Sequence, residues 1–479
     1  MWDLTITELL AFTLNLLVCG GLLIRCYFRR DPMSLWSPEF LVGGIYLYYV
    51  VTGPMIARYT GMFVDRGVDM RPYYSVAWLG AGIALLSWAA GYHLARVSRK
   101  PSPRAGMIWT DDTGLWRLGI ILNIVGVVAY VISAGLGGFA VFGGKIDDPS
   151  LTESIYAGAF ANYLLLAVNF LIAGSSVLLL ARLRGRGSWL VLAGWVLLAI
   201  IIYLTMGFRY RLVLLAGGMT FIYYLHFRKR PNLVFFGAVI SLFVVVMGVI
   251  GQTRTYGSGL DLSRRAQSVT DSFLSGFGET VVFATSGAVL EHVPGDRPFV
   301  WAEPLKQTLL MPVPSRFFPE KQTNAYMVET LMTIYGPVDY QGAAYMLFAE
   351  AYQMFWWPGL VLVHFGLGWL CRWLWEWYRM REGDPLALVV YAAAIPYLYM
   401  VFSRGYLPQV VMLFFFSVGP AIVLYRWPKL VMNMTGGFRK NVDSRGVGRG
   451  EIGAGAYVRI FPPTVPPSEL PPPRRKRGQ

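Results

Sequence analysis

Long apolar runs separated by short polar breaks cover most of the chain, and the breaks alternate in character. Apolar runs lie near 6–24, 40–57, 75–95, 118–134, 157–181, 189–206, 212–225, 233–250, 386–402 and 410–425. A further run starts near Leu347 and ends in the arginines between Arg372 and Arg381. Most approach or exceed the ~18 apolar residues that mark a transmembrane helix. Every second break is basic. Arg25, Arg29 and Arg30 follow the first run, Arg96, Arg99, Lys100 and Arg104 the third, and Arg182, Arg184 and Arg186 the fifth. Arg228, Lys229 and Arg230 follow the seventh. Basic loops stay in the cytoplasm, so these ends face inward and the N-terminus faces out. The pattern predicts an all-α polytopic membrane protein with about eleven transmembrane helices.

Four regions follow from this pattern: helices one to eight over 1–250, a large external loop over 251–345, helices nine to eleven over 346–427, and a tail over 428–479. Within the loop, Thr270 to Val293 is apolar enough for an interfacial or re-entrant helix. The tail is rich in Gly and then Pro and ends in RRKRGQ, so it is expected to be a flexible cytoplasmic segment. The first run has no basic leader and no small-residue cleavage site, which predicts a retained span.

Composition agrees with this reading. Of 479 residues, 55% are hydrophobic and 14% are charged, against about 25% charged in soluble chains. The net charge of +15 needs no nucleic acid, because the excess collects on the inward side. Cys19, Cys26 and Cys371 fall in or beside predicted spans, which argues against a disulfide framework. Of His93, His226, His292 and His364, only His292 is expected outside, too few for a histidine metal site. Phosphate-loop, HExxH, GxSxG and dinucleotide patterns are all missing. The sequence therefore predicts no metal and no cofactor.

External arginines run against the topological bias and ask for another explanation. Arg209 and Arg211 fall in a short outer turn, Arg254 follows the eighth run closely, and Arg404 occupies another short outer turn. With Arg316 and Lys321 of the large loop, they are candidates to converge on one anionic group near the membrane boundary. The planar guanidinium fork pairs bidentately with phosphate oxygens, and a pyrophosphate is the natural ligand. The plainer alternative pairs each arginine with a nearby acid or a lipid headgroup. Glu350 enters the bilayer in AEAYQMFWW, where a carboxylate is costly unless paired. It is either a general base for a sugar hydroxyl or the partner of an arginine. Glu279 is a weaker candidate of the same kind.

The GFRYR turn after the sixth run, PVPSRFFPEKQ in the loop and AEAYQMFWWPG beyond it resemble bacterial O-antigen and exopolysaccharide repeat-unit polymerases of the Wzy type. The likeness covers roughly 203–366. It departs at Gln322, where the family has proline after the lysine, and at Gln353-Met354-Phe355 in place of Asn-Phe-Gly. The resemblance implies a GT-C-like architecture at the outer face of the inner membrane. Donor and acceptor would both be polyprenyl-pyrophosphate-linked oligosaccharides, with no nucleotide sugar or metal. It casts Arg254, Arg316 and Glu350 as catalytic and Arg209, Arg211, Lys321, Arg404, Tyr326 and Tyr352 as substrate-binding. Membrane lipids and a chain-length regulator protein are the implied partners. Rival readings are an O-antigen ligase leaning on His292, and a flippase or transporter of the lipid-linked glycan without chemistry.

Overall fold

The computed structural model describes residues 5–96, 112–136, 159–206, 209–255, 259–260, 268–313, 317–318, 325–339 and 342–427. The expected tail lies outside the described residues. Among the described residues the fold is helical apart from two small hairpins. These pair β1 (Val64–Asp65) with β2 (Val68–Asp69), and β3 (Arg254–Thr255) with β4 (Gly259–Leu260). Eight described helical segments are long and apolar enough to cross a membrane, or up to nine if the bent pair Leu407–Ser417 and Gly419–Arg426 is one span. Among the described residues the eleven expected runs are largely helical, but three of them, in Trp189–Thr205, Arg209–Phe227 and Leu233–Thr253, are not among the eight that pass this test. Val269–His292 passes the same length and apolarity test although it was placed in the loop.

The helices run between two ends of one bundle. α1 (Ile6–Phe28), α2 (Pro38–Thr60), α3 (Tyr74–Leu94) and α4 (Asp112–Leu136) lead the chain. α5 (Ala159–Ala167), α6 (Phe170–Leu183), α7 (Trp189–Thr205), α8 (Arg209–Phe227) and α9 (Leu233–Thr253) follow. The ends of α1, α3 and α8 carry arginine or histidine and meet at one pole. There Arg379 reaches Asp31 at 2.6 Å and Arg228 reaches Glu382 at 2.8 Å. The pole at the other ends of these helices holds the candidate site.

α2 is not uniform. Its middle, Leu47–Thr52, is a π-turn just before Pro54. Proline has no N–H to continue the i→i−4 ladder, and a π-turn absorbs the slip, as such turns often do at functional sites. Tyr48 and Tyr49 lie on it.

The segment after β4 forms a two-limbed hairpin: α10 (Val269–Gly276), a 3₁₀ turn over Phe277–Thr280, and α11 (Val281–His292). α10 lies backbone-close to α9, since a Cβ on Gly248 would fall 1.7 Å from the Ser272 carbonyl oxygen. Gly276 sits against the Val244 carbonyl, which at 1.5 Å per residue is ~13 Å below the end of α9. α11 then returns across α3, and His292 meets Tyr73 at the start of that helix. Both limbs therefore open at the same pole, away from the arginine-rich one.

α12 (Glu303–Leu310) and α13 (Ala325–Asp339) lead to α14 (Leu347–Arg379), which is broken at Phe355 and Trp356 just before Pro358. Pro358 has no N–H for the carbonyl four residues back, at Met354, and its ring crowds that carbonyl, which breaks the helix just before it. The limb before the break is buried on every side, whereas the limb beyond it exposes apolar residues such as Leu362 and Leu370. α15 (Pro385–Ser403), α16 (Leu407–Ser417) and α17 (Gly419–Arg426) complete the described chain.

Glycine permits the closest crossing. A Cβ on Gly91 would sit 2.0 Å from the Phe365 carbonyl oxygen, and one on Gly368 would sit 2.0 Å from that of Trp88. α3 and α14 thus touch backbone to backbone, as small residues allow between membrane helices. Gly368→Leu is expected to prise them apart at a cost of about 3 kcal/mol or more. Its checks are a lower unfolding temperature and loss of a monodisperse peak in size-exclusion chromatography.

Candidate functional site

Three charged side chains from separate parts of the chain meet at the pole opposite the arginine-rich end. Arg209 opens α8, Arg404 caps the C-terminus of α15, and Glu279 lies in the 3₁₀ turn between α10 and α11. Arg209 Nη1 is 3.2 Å from Glu279 Oε1, and Arg404 Nη2 donates to Glu279 Oε2 at 2.5 Å. Each helix end has an electrostatic consequence. Arg404 complements the negative end of α15 and Glu279 the positive start of α11, whereas Arg209 adds its charge to the positive start of α8. Among the described residues the cluster sets two cations against one anion, with its side chains 15–29% exposed. It is sheltered but not fully buried.

Tyrosines surround it. Tyr49 O–H donates to Tyr399 at 3.0 Å and Tyr48 O–H donates to the Gly276 carbonyl at 2.7 Å. All three phenols lie within electrostatic reach of the Glu279 carboxylate. Beside the cluster, Leu347, Val363, Leu367, Val401 and Leu407 line an apolar groove of about 230 Å³, and Arg404 stands on its lining. An aliphatic chain and an anionic head find complementary surfaces side by side.

The turn between α15 and α16 is held at both ends. Arg404 is gripped by Glu279, and the Leu407 N–H donates to both Glu350 oxygens at 2.9 and 3.1 Å. Glu350 is 1% exposed and also accepts the Tyr326 hydroxyl at 2.5 Å. Burial first, and then the charge of Glu350, hold the Tyr326 phenol well above its usual range, so it remains a donor. A carboxylate at the first turn of α16 is favourably placed for that helix. Of the two roles expected for Glu350, pairing with an arginine is not seen among the described residues, which do not include Arg316. A phenol and a backbone amide hold it, and its effect on Arg404 runs through the turn.

Arg211 departs from expectation. It is 2% exposed and reaches the Leu165 carbonyl at 2.9 Å, Met206 Sδ at 2.5 Å and the Tyr210 hydroxyl at 3.1 Å. Its guanidinium also lies over the Tyr203 and Tyr210 rings. Two positions along a helix rotate a side chain by ~200°, so Arg209 and Arg211 leave α8 on different faces. Arg211 ties α8 to α5. Arg211→Leu is expected to lower the unfolding temperature by removing these contacts while the folded fraction keeps most of its activity, and Arg209→Leu is expected to do the reverse.

The remaining expected residues separate. Tyr352 donates to the Val293 carbonyl at 3.2 Å and packs on Trp357, so its hydroxyl is spent in a structural contact. Arg254 begins β3, directly after α9, with its backbone paired to Leu260. Arg316 and Lys321 lie outside the described residues. His292 stands between Asp296, at 2.5 Å from Nδ1, and the Tyr73 hydroxyl, at 3.3 Å from Nε2. No group of three or more metal-binding side chains is gathered among the described residues. Glu279 carries more of the site than the sequence suggested. Its signal was present, since it is the only charged residue between Phe273 and Leu290. Tyr48, Tyr49 and Tyr399 gave no signal, because an aromatic on a span has the same pattern whether it faces core or site.

Together these features define an α-helical membrane protein with a polar cluster sheltered at one pole. No family model, curated protein or solved structure matches the chain.

Proposed function

We propose that the protein is a lipid-linked oligosaccharide polymerase, joining polyprenyl-pyrophosphate-linked repeat units into O-antigen or exopolysaccharide. The observation that carries this reading is the convergence of Arg209 and Arg404 on one carboxylate, with Arg404 also lining an apolar groove. In the proposed reaction the bond between the donor sugar's anomeric carbon and the pyrophosphate oxygen breaks. A bond forms from that carbon to an acceptor hydroxyl oxygen, and the hydroxyl proton passes to a base. Polyprenyl pyrophosphate leaves with the bond's electron pair, and its growing charge is what the two guanidiniums stabilise. Donors fixed before charge develops contribute far more than mobile water does. The groove takes the start of the prenyl chain. Glu350 acts by holding the turn that carries Arg404.

The positive-inside bias supports an outward orientation for this pole; in this reading the membrane is the bacterial inner membrane, at whose outer face flipped lipid-linked units are presented. The sources of donor and acceptor are thus the same lipid pool, with a chain-length regulator as the natural protein partner. Purified protein in nanodiscs, supplied only with the lipid-linked repeat unit, is expected to yield longer lipid-linked chains and free polyprenyl pyrophosphate. Unchanged substrate, with the protein folded, would overturn the reading.

A further inference from the structure

A second charged cavity lies at the arginine-rich pole, apart from the cluster described above. Three helix C-termini meet there: α1 at Arg29, α3 at Ala95 and α14 at Met380. Between them opens a cavity of about 720 Å³ lined by Arg25, Arg29, Arg372 and Arg379 and by the acids Asp31, Glu376 and Glu382. Beneath the cations lies Glu39, fully buried, 3.0 Å from Arg29 and 3.6 Å from both Arg25 and His93.

The field in this cavity suits neither sign alone. A simple anion meets three helix C-termini, each carrying ~−0.5 of a charge, in addition to the carboxylates. A simple cation meets four guanidiniums. The lining also differs in what it has to spare. Arg379 is committed to Asp31 at 2.6 Å and Glu382 at 2.7 Å, and Arg29 to Glu39. Arg25 is 54% exposed; its Nη1 lies 3.2 Å from His93 Nε2 and its Nε makes a long 3.6 Å approach to Glu39. Arg372 lies over the Tyr92 ring and gives Nη2 to Glu376 at 2.6 Å. A guanidinium carries five N–H donors, so both retain donors for phosphate oxygens. On the acid side, Asp31 is 39% exposed, and the last turns of the helices present carbonyls without intrahelical donors. These are acceptors for an ammonium group.

We propose that this cavity binds a zwitterionic aminophosphate, the phosphoethanolamine group, with its phosphate on Arg25 and Arg372 and its ammonium beside Asp31. The cavity lies at the ends of three membrane-length helices, the level at which lipid headgroups sit. Two sources share the chemistry: the headgroup of phosphatidylethanolamine and a soluble phosphoethanolamine compound. Choline carries the same charge but no N–H, so it fails the ammonium half of the site. A glycerol headgroup fails it as well.

Native mass spectrometry of the full chain in detergent, with phosphatidylethanolamine, phosphatidylcholine or phosphatidylglycerol added, is the test. One phosphatidylethanolamine is expected to be retained about tenfold more strongly than either other lipid, a free-energy preference of one good contact. In the R372Q/E376Q double variant, which keeps the net charge, that preference is expected to vanish while the unfolding temperature without lipid stays near wild type. Free phosphoethanolamine is expected to displace the lipid if the headgroup is the ligand. If it raises the unfolding temperature of wild type alone while no lipid is selected, the soluble compound is the ligand and the site stands. Equal retention of all three lipids with no effect of phosphoethanolamine, tighter phosphatidylglycerol binding, or an unchanged preference in the double variant would overturn the proposal.

Discussion

Arg404→Gln is expected to lower the rate of chain lengthening by about 10²–10³-fold, the usual loss when one preorganised donor to a developing anion is removed. Arg404 caps α15 through its backbone N–H, bonded to the Met400 carbonyl, while its side chain contacts Glu279 at 2.5 Å, so the substitution leaves the helix cap in place. Loss of this side chain removes, among the described residues, one of the two cations of the cluster and the charge on the groove lining. Arg404→Lys separates two causes. Lysine restores the charge but not the planar fork, so recovery to within a fewfold of wild type would mean that charge alone is needed. A remaining deficit of about tenfold or more would mean bidentate pairing. Initial rates of lipid-linked chain growth, with unfolding temperatures measured in parallel, provide the check. Wild-type rates in both variants would remove Arg404 from the mechanism.

The second large effect is expected at Glu350. Glu350→Ala strands the Tyr326 hydroxyl and the Leu407 N–H in a buried site. Each orphaned group costs about 1–3 kcal/mol, enough together to unfold the pole or free the turn that carries Arg404. Glu350→Gln keeps one acceptor oxygen, which can take both the Tyr326 hydroxyl and the Leu407 N–H as Oε1 does, and loses the charge and the second acceptor. With Glu350 as a positioning residue, the glutamine variant is expected to retain activity to within about tenfold and to bind inorganic pyrophosphate as wild type does. A folded glutamine variant with normal pyrophosphate binding and no turnover would make Glu350 the proton acceptor instead. The two outcomes separate at the ratio of binding to rate.

Much of the bundle was legible in the chain because membrane crossing imposes a strong pattern. Among the described residues the apolar runs are helical, those over 157–181 and 410–425 each in two pieces, and the described ends of α1, α3 and α8 share one pole. Arg209 and Arg404 could be singled out because they violate that pattern, and the structure brings both to one carboxylate. Arg211 shows the limit of the same reasoning. A turn motif gives two arginines, but the phase of the helix that follows decides which one faces the site. Glu350 was recognisable as a carboxylate in an apolar setting, yet its partners lie far along the chain, at Tyr326 and at the first N–H of α16. Such pairings depend on the fold around Pro358 and on the pinned turn, neither of which leaves a local pattern. The Val269–His292 hairpin is the intermediate case. Its apolarity was evident, but its role in lowering Glu279 to the level of the arginines depends on the glycine contacts of Gly248 and Gly276 with their opposing backbones.

The proposed activity makes one direct demand on the living cell. In a host lacking this gene, mass analysis of lipid-linked glycans is expected to show single repeat units on the polyprenyl carrier, exposed on the outer face, with long polymer missing. Restoring the gene should restore the polymer, and restoring the Arg404→Gln form should not. Full-length polymer stranded on the carrier would contradict this account and assign the protein to transfer of finished chains, with His292 and Asp296 the residues to test. Units trapped on the cytoplasmic face would contradict it more deeply, since transport, not bond formation, would then be what the Arg209–Glu279–Arg404 cluster serves.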